Sequence, residues 1–219
     1  MGDFHDAATM GALQIFHLDD HCLVALKPSG LLSVPGRGAH LQDCLASRVQ
    51  ACHPDALVVH RLDMATSGLM VFARGPDAQR RLNDSFARRE VTKTYVAVVE
   101  GSVAEDAGEI DLPLRADWPN RPMQMIDREH GKASLTRYRV LAREPTGRAT
   151  RVELQPVTGR AHQLRVHMLA LGHPILGDAL YAPALVQVAA SRLLLHAAGL
   201  RFAHPASGEA VFVESAAPF

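Results

Sequence analysis

Apolar and polar positions change over along this chain in short blocks. Runs at 57–59 and 69–73 read as buried strands on either side of a polar stretch. A second pair, 15–16 and 22–26, flanks an Asp19-Asp20 turn. Residues 92–101 read as a strand ended by Gly101. Two more strands fall at 134–141 and 149–155, and in the latter Val152 and Leu154 face inward while Arg151, Glu153 and Gln155 face out. The C-terminal part gives three short strands, 192–197, 199–203 and 210–214, with a turn at 205–208. Helical spacing appears three times. Leu41, Leu45 and Val49 share a face of a helix over 41–51. Ala78, Leu82 and Phe86 mark a helix opening at Pro76, with Asp77 as its N-cap. Leu164, Met168 and Leu171 form the core stripe of a helix that starts at 158–160 and ends at Gly172. The glycine-rich stretch 33–38 and residues 102–126 read as loops. Many short strands and three helices make an α+β chain.

Length and composition narrow this further. A chain of 219 residues with 47% hydrophobic positions can bury a sizeable core. No apolar run approaches the roughly 20 residues that a membrane span needs. Residues 1–12 read as a flexible terminus, polar and lacking the basic start of a signal peptide. Cys22, Cys44 and Cys52 form an odd set without a CxxC pair, which suits free thiols in a reducing cytoplasm. His162 and His167 lie five apart, one too many for two ligands on one helical turn, so no metal site is expected. Lysines and arginines total 23, against 23 acidic residues, a balance that alone counts against a nucleic-acid binder. Yet all the basic residues except Lys27, Lys93 and Lys132 are arginine, whose fork suits phosphate and bases. Aromatic content of 5% excludes a broad base-stacking sheet.

The polar stretch between the first two runs carries the candidate chemistry. It reads His60-Arg61-Leu62-Asp63-Met64-Ala65-Thr66-Ser67-Gly68-Leu69. A loop pinned between core strands is a rigid place to aim a reactive group. Thr66, Ser67 and Gly68 suit a tight turn, and a lone loop aspartate ordinarily just caps such a turn. Here the string resembles the HRLDxxTSGL motif of the RluA-type pseudouridine synthases. Further blocks resemble the same family in order: KPSGLLSVPG from Lys27, KxYxAxVxG from Lys93, and TGRxHQxRVHxxxxGxPIxGDxxY from Thr158, with Ala182 where a glycine is usual. The resemblance runs from about Asp20 to the C-terminus. It is closest to the short member that acts on both 23S rRNA and tRNA.

The resemblance implies a pseudouridine synthase fold: a single bilobed domain over 13–219, with a long, mainly antiparallel mixed sheet, a central cleft and no separate N-terminal RNA-binding domain. It implies Asp63 as catalytic carboxylate, Tyr95 against the target uracil and Arg165 as the charge partner of Asp63. Arg61 would fill the space of a flipped nucleotide, with His60, Thr66 and Arg160 also contacting RNA. No cofactor and no metal are expected, since the isomerisation imports no group and changes no oxidation state. The expected partner is RNA, as stem-loops of 23S rRNA and tRNA, handled by a cytoplasmic monomer. Alternatives are the same chemistry on a single rRNA or tRNA site, a hydrolase using Asp63 as nucleophile, and a non-catalytic RNA-binding protein. The hydrolase needs a second carboxylate, for which the motif blocks offer only Asp178.

Overall fold

The computed structural model describes residues 13–219; the expectation for 1–12 lies outside them. In chain order the elements are β1 (Ile15–Leu18), β2 (Cys22–Lys27), α1 (Leu45–Cys52), β3 (Ala56–Val58), β4 (Ser67–Arg74), α2 (Pro76–Ala87), β5 (Thr92–Glu100), β6 (Ala107–Asp111), β7 (Leu114–Ala116), β8 (Gln124–Ile126), β9 (Leu135–Arg143), β10 (Ala149–Pro156), α3 (Gln163–Ala170), α4 (Ala184–Gln187), β11 (Leu195–Ala203) and β12 (Ala210–Glu214). One long sheet runs β1-β2-β4-β11-β5-β10-β9-β6, with β3 added to β4 and β12 to β11, while β7 and β8 form a separate hairpin. Every pairing in the long sheet is antiparallel except β4 with β11. Among the described residues no helix is long and apolar enough to cross a membrane.

Three clusters of buried side chains divide the sheet into two lobes. In the first lobe Met70 and Phe72 of β4 pack with Leu45 and Val49 of α1. Leu69, Val71 and Ala73 pack on the opposite face with Leu82 of α2. β4 is thus covered on both faces, which is why its sequence is continuously apolar rather than alternating. In the second lobe Val99, Val152 and Leu154 pack against Leu164 and Met168 of α3. Tyr95 touches the first and third of these clusters in chain order, that under α1 and that under α3. The lobes meet where His196 and Ala197 of β11 run parallel to Ser67 and Gly68. A Cβ on Gly68 would lie 2.4 Å from the Ala197 amide nitrogen, and its φ of 125° suits glycine alone, so this join requires glycine.

Several boundaries differ from the sequence expectations. α1 starts at Leu45, because Cys44 and Ser47 cap it reciprocally; residues 39–41 are a separate single 3₁₀ turn and Leu41 is not in the core. Gly75, not Asp77, is the N-cap of α2, leaving Pro76 at the first helical position where its fixed φ fits. α3 starts only at Gln163. Its side-chain oxygen accepts from Thr158 Oγ1 at 2.7 Å and Arg160 N at 3.1 Å, holding 158–162 as a loop that ends with His162 in the left-handed region, φ 52°. Ser67 and Gly68 belong to β4 rather than to a turn. The pieces at 192–197 and 199–203 are one strand, β11, with a register irregularity between Ala197 and Gly199. The stretch 102–126 contains β6, β7 and β8.

Candidate active site

Residues 59–66 leave β3 and return into β4, beside the gap where β11 joins the sheet. The segment after β2 clamps this loop. Lys27 is fully buried, and its Nζ donates to the carbonyls of Pro28 at 2.9 Å, Leu31 at 2.6 Å and Met64 at 2.9 Å. Ser29 Oγ donates to Ala65 O at 2.7 Å. Ser33 Oγ donates to Leu62 O at 2.7 Å and accepts from Leu62 N at 3.0 Å. These six hydrogen bonds fix the backbone on both sides of Asp63. Burial pushes the Lys27 ammonium down to about 7, against the pull of the Asp63 charge.

Asp63 retains 29% of its side-chain exposure, and two groups approach its Oδ2: Arg165 Nη1 at 3.5 Å and His162 Nε2 at 3.9 Å. Arg165 is therefore beside Asp63, as the resemblance implies, but its principal partner is Asp178. The guanidinium bonds that carboxylate in a fork, Nε to Oδ2 at 2.8 Å and Nη2 to Oδ1 at 2.6 Å, with Arg165 4% and Asp178 1% exposed. Burial alone would weaken the guanidinium's hold on its proton. The bonds and charge of Asp178, and then the charge of Asp63, outweigh it, so the group stays a cation. With Nε and Nη2 committed, Nη1 is the atom presented to Asp63.

His162 is set by Tyr181. The Tyr181 hydroxyl accepts from Gln124 N at 2.8 Å and hydrogen-bonds His162 Nδ1 at 2.6 Å, which turns the histidine Nε2 toward Asp63. Burial lowers the His162 pKa even against the negative charge of Asp63. Burial also pushes the Tyr181 phenol up to about 12.

These groups face a cleft of about 600 Å³, within the size of ligand-binding pockets. Tyr95, opposite Leu154 and Ala197 in the middle of the sheet, lines it together with Asp63 and Arg165. Burial, reinforced by the Asp63 charge, holds the Tyr95 phenol well above its ordinary range, so it stays protonated. Arg61 and Arg160 line the cleft and are exposed. His60 and Thr66 line its wall with structural duties. His60 stacks on Phe86 at 4.7 Å and its Nε2 accepts from Val71 N at 3.0 Å; burial and the nearby Lys93 push it down to about 3. Thr66 is buried and its N–H donates to Asp63 O at 3.1 Å.

His167 is a packing residue. Its two ring nitrogens are occupied by Thr136 Oγ1 at 2.9 Å and Leu112 O at 3.0 Å. One His, Asp and Cys grouping lies away from the cleft: His17 Nε2 is 2.6 Å and His204 Nε2 3.2 Å from Asp19 Oδ2, with Cys22 Sγ at 3.7 Å. His204 Nδ1 accepts from Ala206 N and Ser207 N, so its Nε2 carries the proton that Asp19 receives. The group reads as a hydrogen-bonded turn.

Comparison with known proteins gives the family. The family model described as RNA pseudouridylate synthase matches residues 21–170. The dual-specificity RNA pseudouridine synthase RluA of Yersinia pestis is 52% identical over 205 residues, covering 94% of this chain and 99% of the relative. That of Escherichia coli (strain K12) is 51% identical over 207 residues, covering 94% of each. Among solved structures, human RNA pseudouridylate synthase domain containing 1 superposes with a TM-score of 0.79 at 32% identity, covering 94% of this chain and 84% of that one. Human RNA pseudouridylate synthase domain containing 4 gives 0.74 at 28% identity, covering 93% and 88%. The sheet, the cleft and the motif blocks that build it thus identify the chain as a member of the RNA pseudouridylate synthase family.

Proposed function

We propose that Asp63 is the carboxylate with which this enzyme converts uridine to pseudouridine in rRNA and tRNA stem-loops. The reaction breaks the C1′–N1 bond, turns the base, joins C1′ to C5, moves the C5 proton away and leaves N1 protonated. It needs a negative group at C1′ and a pocket that keeps hold of the released base. The observation that carries the reading is the position of Asp63: at the cleft wall, its backbone clamped on both sides, 3.5 Å from a buried cation that Asp178 fixes. Arg165 Nη1 orients the carboxylate, with His162 Nε2 3.9 Å from it. Tyr95, a neutral phenol, bears on the base. A uridine inside a folded RNA must leave its stack to reach Asp63, and Arg61, exposed two residues away, fills the vacated place. Arg160 contributes a phosphate contact. The hydrolase alternative lacks its second carboxylate, because Asp178 is buried and fully engaged by Arg165 and by the N–H groups of Leu180 and Tyr181.

Action on both RNA classes rests on the dual-specificity relatives that share about half of this sequence. The test is incubation of the purified protein with tRNA and with 23S rRNA stem-loop fragments, followed by mapping of pseudouridine. Formation in both is expected. Asp63→Asn should abolish it while RNA binding persists, and retained turnover would remove Asp63 from its role.

A further inference from the structure

The hairpin of β7 and β8 stands apart from the main sheet and packs on α3, the helix that carries Arg165: Leu114, Met123 and Ile126 cluster with Val166 and Tyr181. The same hairpin supplies Gln124 N to the Tyr181 hydroxyl, one hydrogen bond from His162. Its tip is 117–123. The tip is rigid by its own bonds: Asp117 N to Met123 O at 3.0 Å, Asn120 N to Asp117 O at 3.1 Å, Met123 N to Asn120 O at 3.0 Å, and Asn120 Nδ2 to Asp117 Oδ2 at 2.9 Å.

On this rigid tip stands Trp118, with 65% of its surface exposed. The Arg121 guanidinium lies over its ring, 3.2 Å from the centroid. Among the described residues no carboxylate pairs with Arg121, whereas Arg115 of the same hairpin is paired with Asp127. Nothing in the core uses this indole. A large flat ring kept in water, backed by an uncompensated planar cation, is the combination that binds an unstacked base beside a phosphate. Trp118 is two residues beyond Ala116, which pairs with Gln124, so its Cα lies within about 7 Å of that of Ala116. The platform is thus tied, through Tyr181, to His162 in the cleft wall.

We propose that Trp118 and Arg121 form a second RNA site, at which an unpaired base flanking the target uridine stacks on the indole. This inference rests on the RNA-modifying reading above and adds to it a place where loop sequence or loop shape is sensed away from Asp63.

Trp118 is the sole tryptophan of the chain, so intrinsic emission excited at the indole band reports on this site alone. The experiment titrates full-length Asp63→Asn protein with a tRNA stem-loop, following indole emission and, separately, retention of labelled RNA on a filter. Quenching that saturates with the filter-binding curve is expected. In the otherwise unchanged enzyme, Trp118→Ala should raise KM about ten-fold or more with a much smaller change in kcat, and Trp118→Phe, which keeps a ring, should recover most of the loss. RNA retained on the filter with unchanged emission, or Trp118→Ala with an unchanged KM, would overturn the proposal and leave the assignment of Asp63 standing. Failure of the RNA to bind at all would overturn both.

Discussion

Asp178→Asn separates the support of the site from its chemistry. In the native protein Asp178 presents one carboxylate oxygen to Arg165 Nε and the other to Nη2, and both residues are almost wholly buried. An asparagine can offer its oxygen to only one of these nitrogens, and its NH₂ then faces an N–H. The substitution leaves a buried guanidinium with half its contacts and with Asp63, 3.5 Å away and partly exposed, as its only remaining anion. Removing one member of a buried pair costs about 3–5 kcal/mol. For a chain of this size that corresponds to a fall in Tm of roughly 6–20 °C. Urea unfolding gives the free energy directly, and pseudouridine formation measured well below the new Tm should also fall, because Nη1 no longer has a fixed direction. Asp63→Asn is the matching control. It leaves the fork to Asp178 intact, so it should cost under about 1 kcal/mol while abolishing turnover. An Asp178→Asn protein within about 1 kcal/mol of the native one would refute the anchoring argument.

Three further outcomes are expected. His196 is buried, and burial together with Arg192 pushes it down to about 4, so between pH 6.5 and 4 the unfolded chain takes up a proton that the folded chain refuses; stability falls with falling pH across that window, by up to about 1.4 kcal/mol per unit, and His196→Gln should flatten the slope measured by urea unfolding. Lys27→Met leaves the carbonyls of Pro28, Leu31 and Met64 without their donor and should cost about 3 kcal/mol, whereas a loss below about 1 kcal/mol would show that the clamp on 62–66 does not depend on this ammonium. Gly68→Ala drives a Cβ into the backbone of Ala197 and forces a residue with a side chain to φ 125°, so it should cost about 3 kcal/mol or more, read as lost soluble yield or a lowered urea midpoint.

Much of the fold is legible where one local rule acts without competition. The alternation at 149–155 predicts the inward Val152 and Leu154, both fully buried, and the four-residue spacing of Ala78 and Leu82 predicts the buried face of α2. The errors fall where a side chain replaces the expected signal. A cysteine caps α1, a residue type outside the usual N-cap set, so the start reads four residues early. Gln163 satisfies the groups at 158–160 that a helix would otherwise have used. β6 turns a single apolar residue, Ile110, into the core, too little for a strand pattern to register.

The site divides along a similar line. Asp63, Tyr95 and Arg165 are visible as residue types inside motif blocks, and the structure brings all three to one cleft. Lys27, Ser29, Ser33, Asp178 and Tyr181 stand in those blocks too, but their roles are not legible there, because each acts by meeting another segment: Lys27 meets Met64, Ser33 meets Leu62, Tyr181 meets Gln124. One of them did leave a trace. Arg165 follows Leu164 at the edge of the core stripe of α3, and an arginine placed there has to be paired. The carboxylate in the same motif block is Asp178, and a buried cation requires a buried anion, so Asp178 is the anchor of Arg165 rather than a second reactive acid. The same question explains why Asp63 tolerates partial exposure: the charge that orients it is already neutralised from behind, so Asp63 is held by geometry and remains open to a substrate.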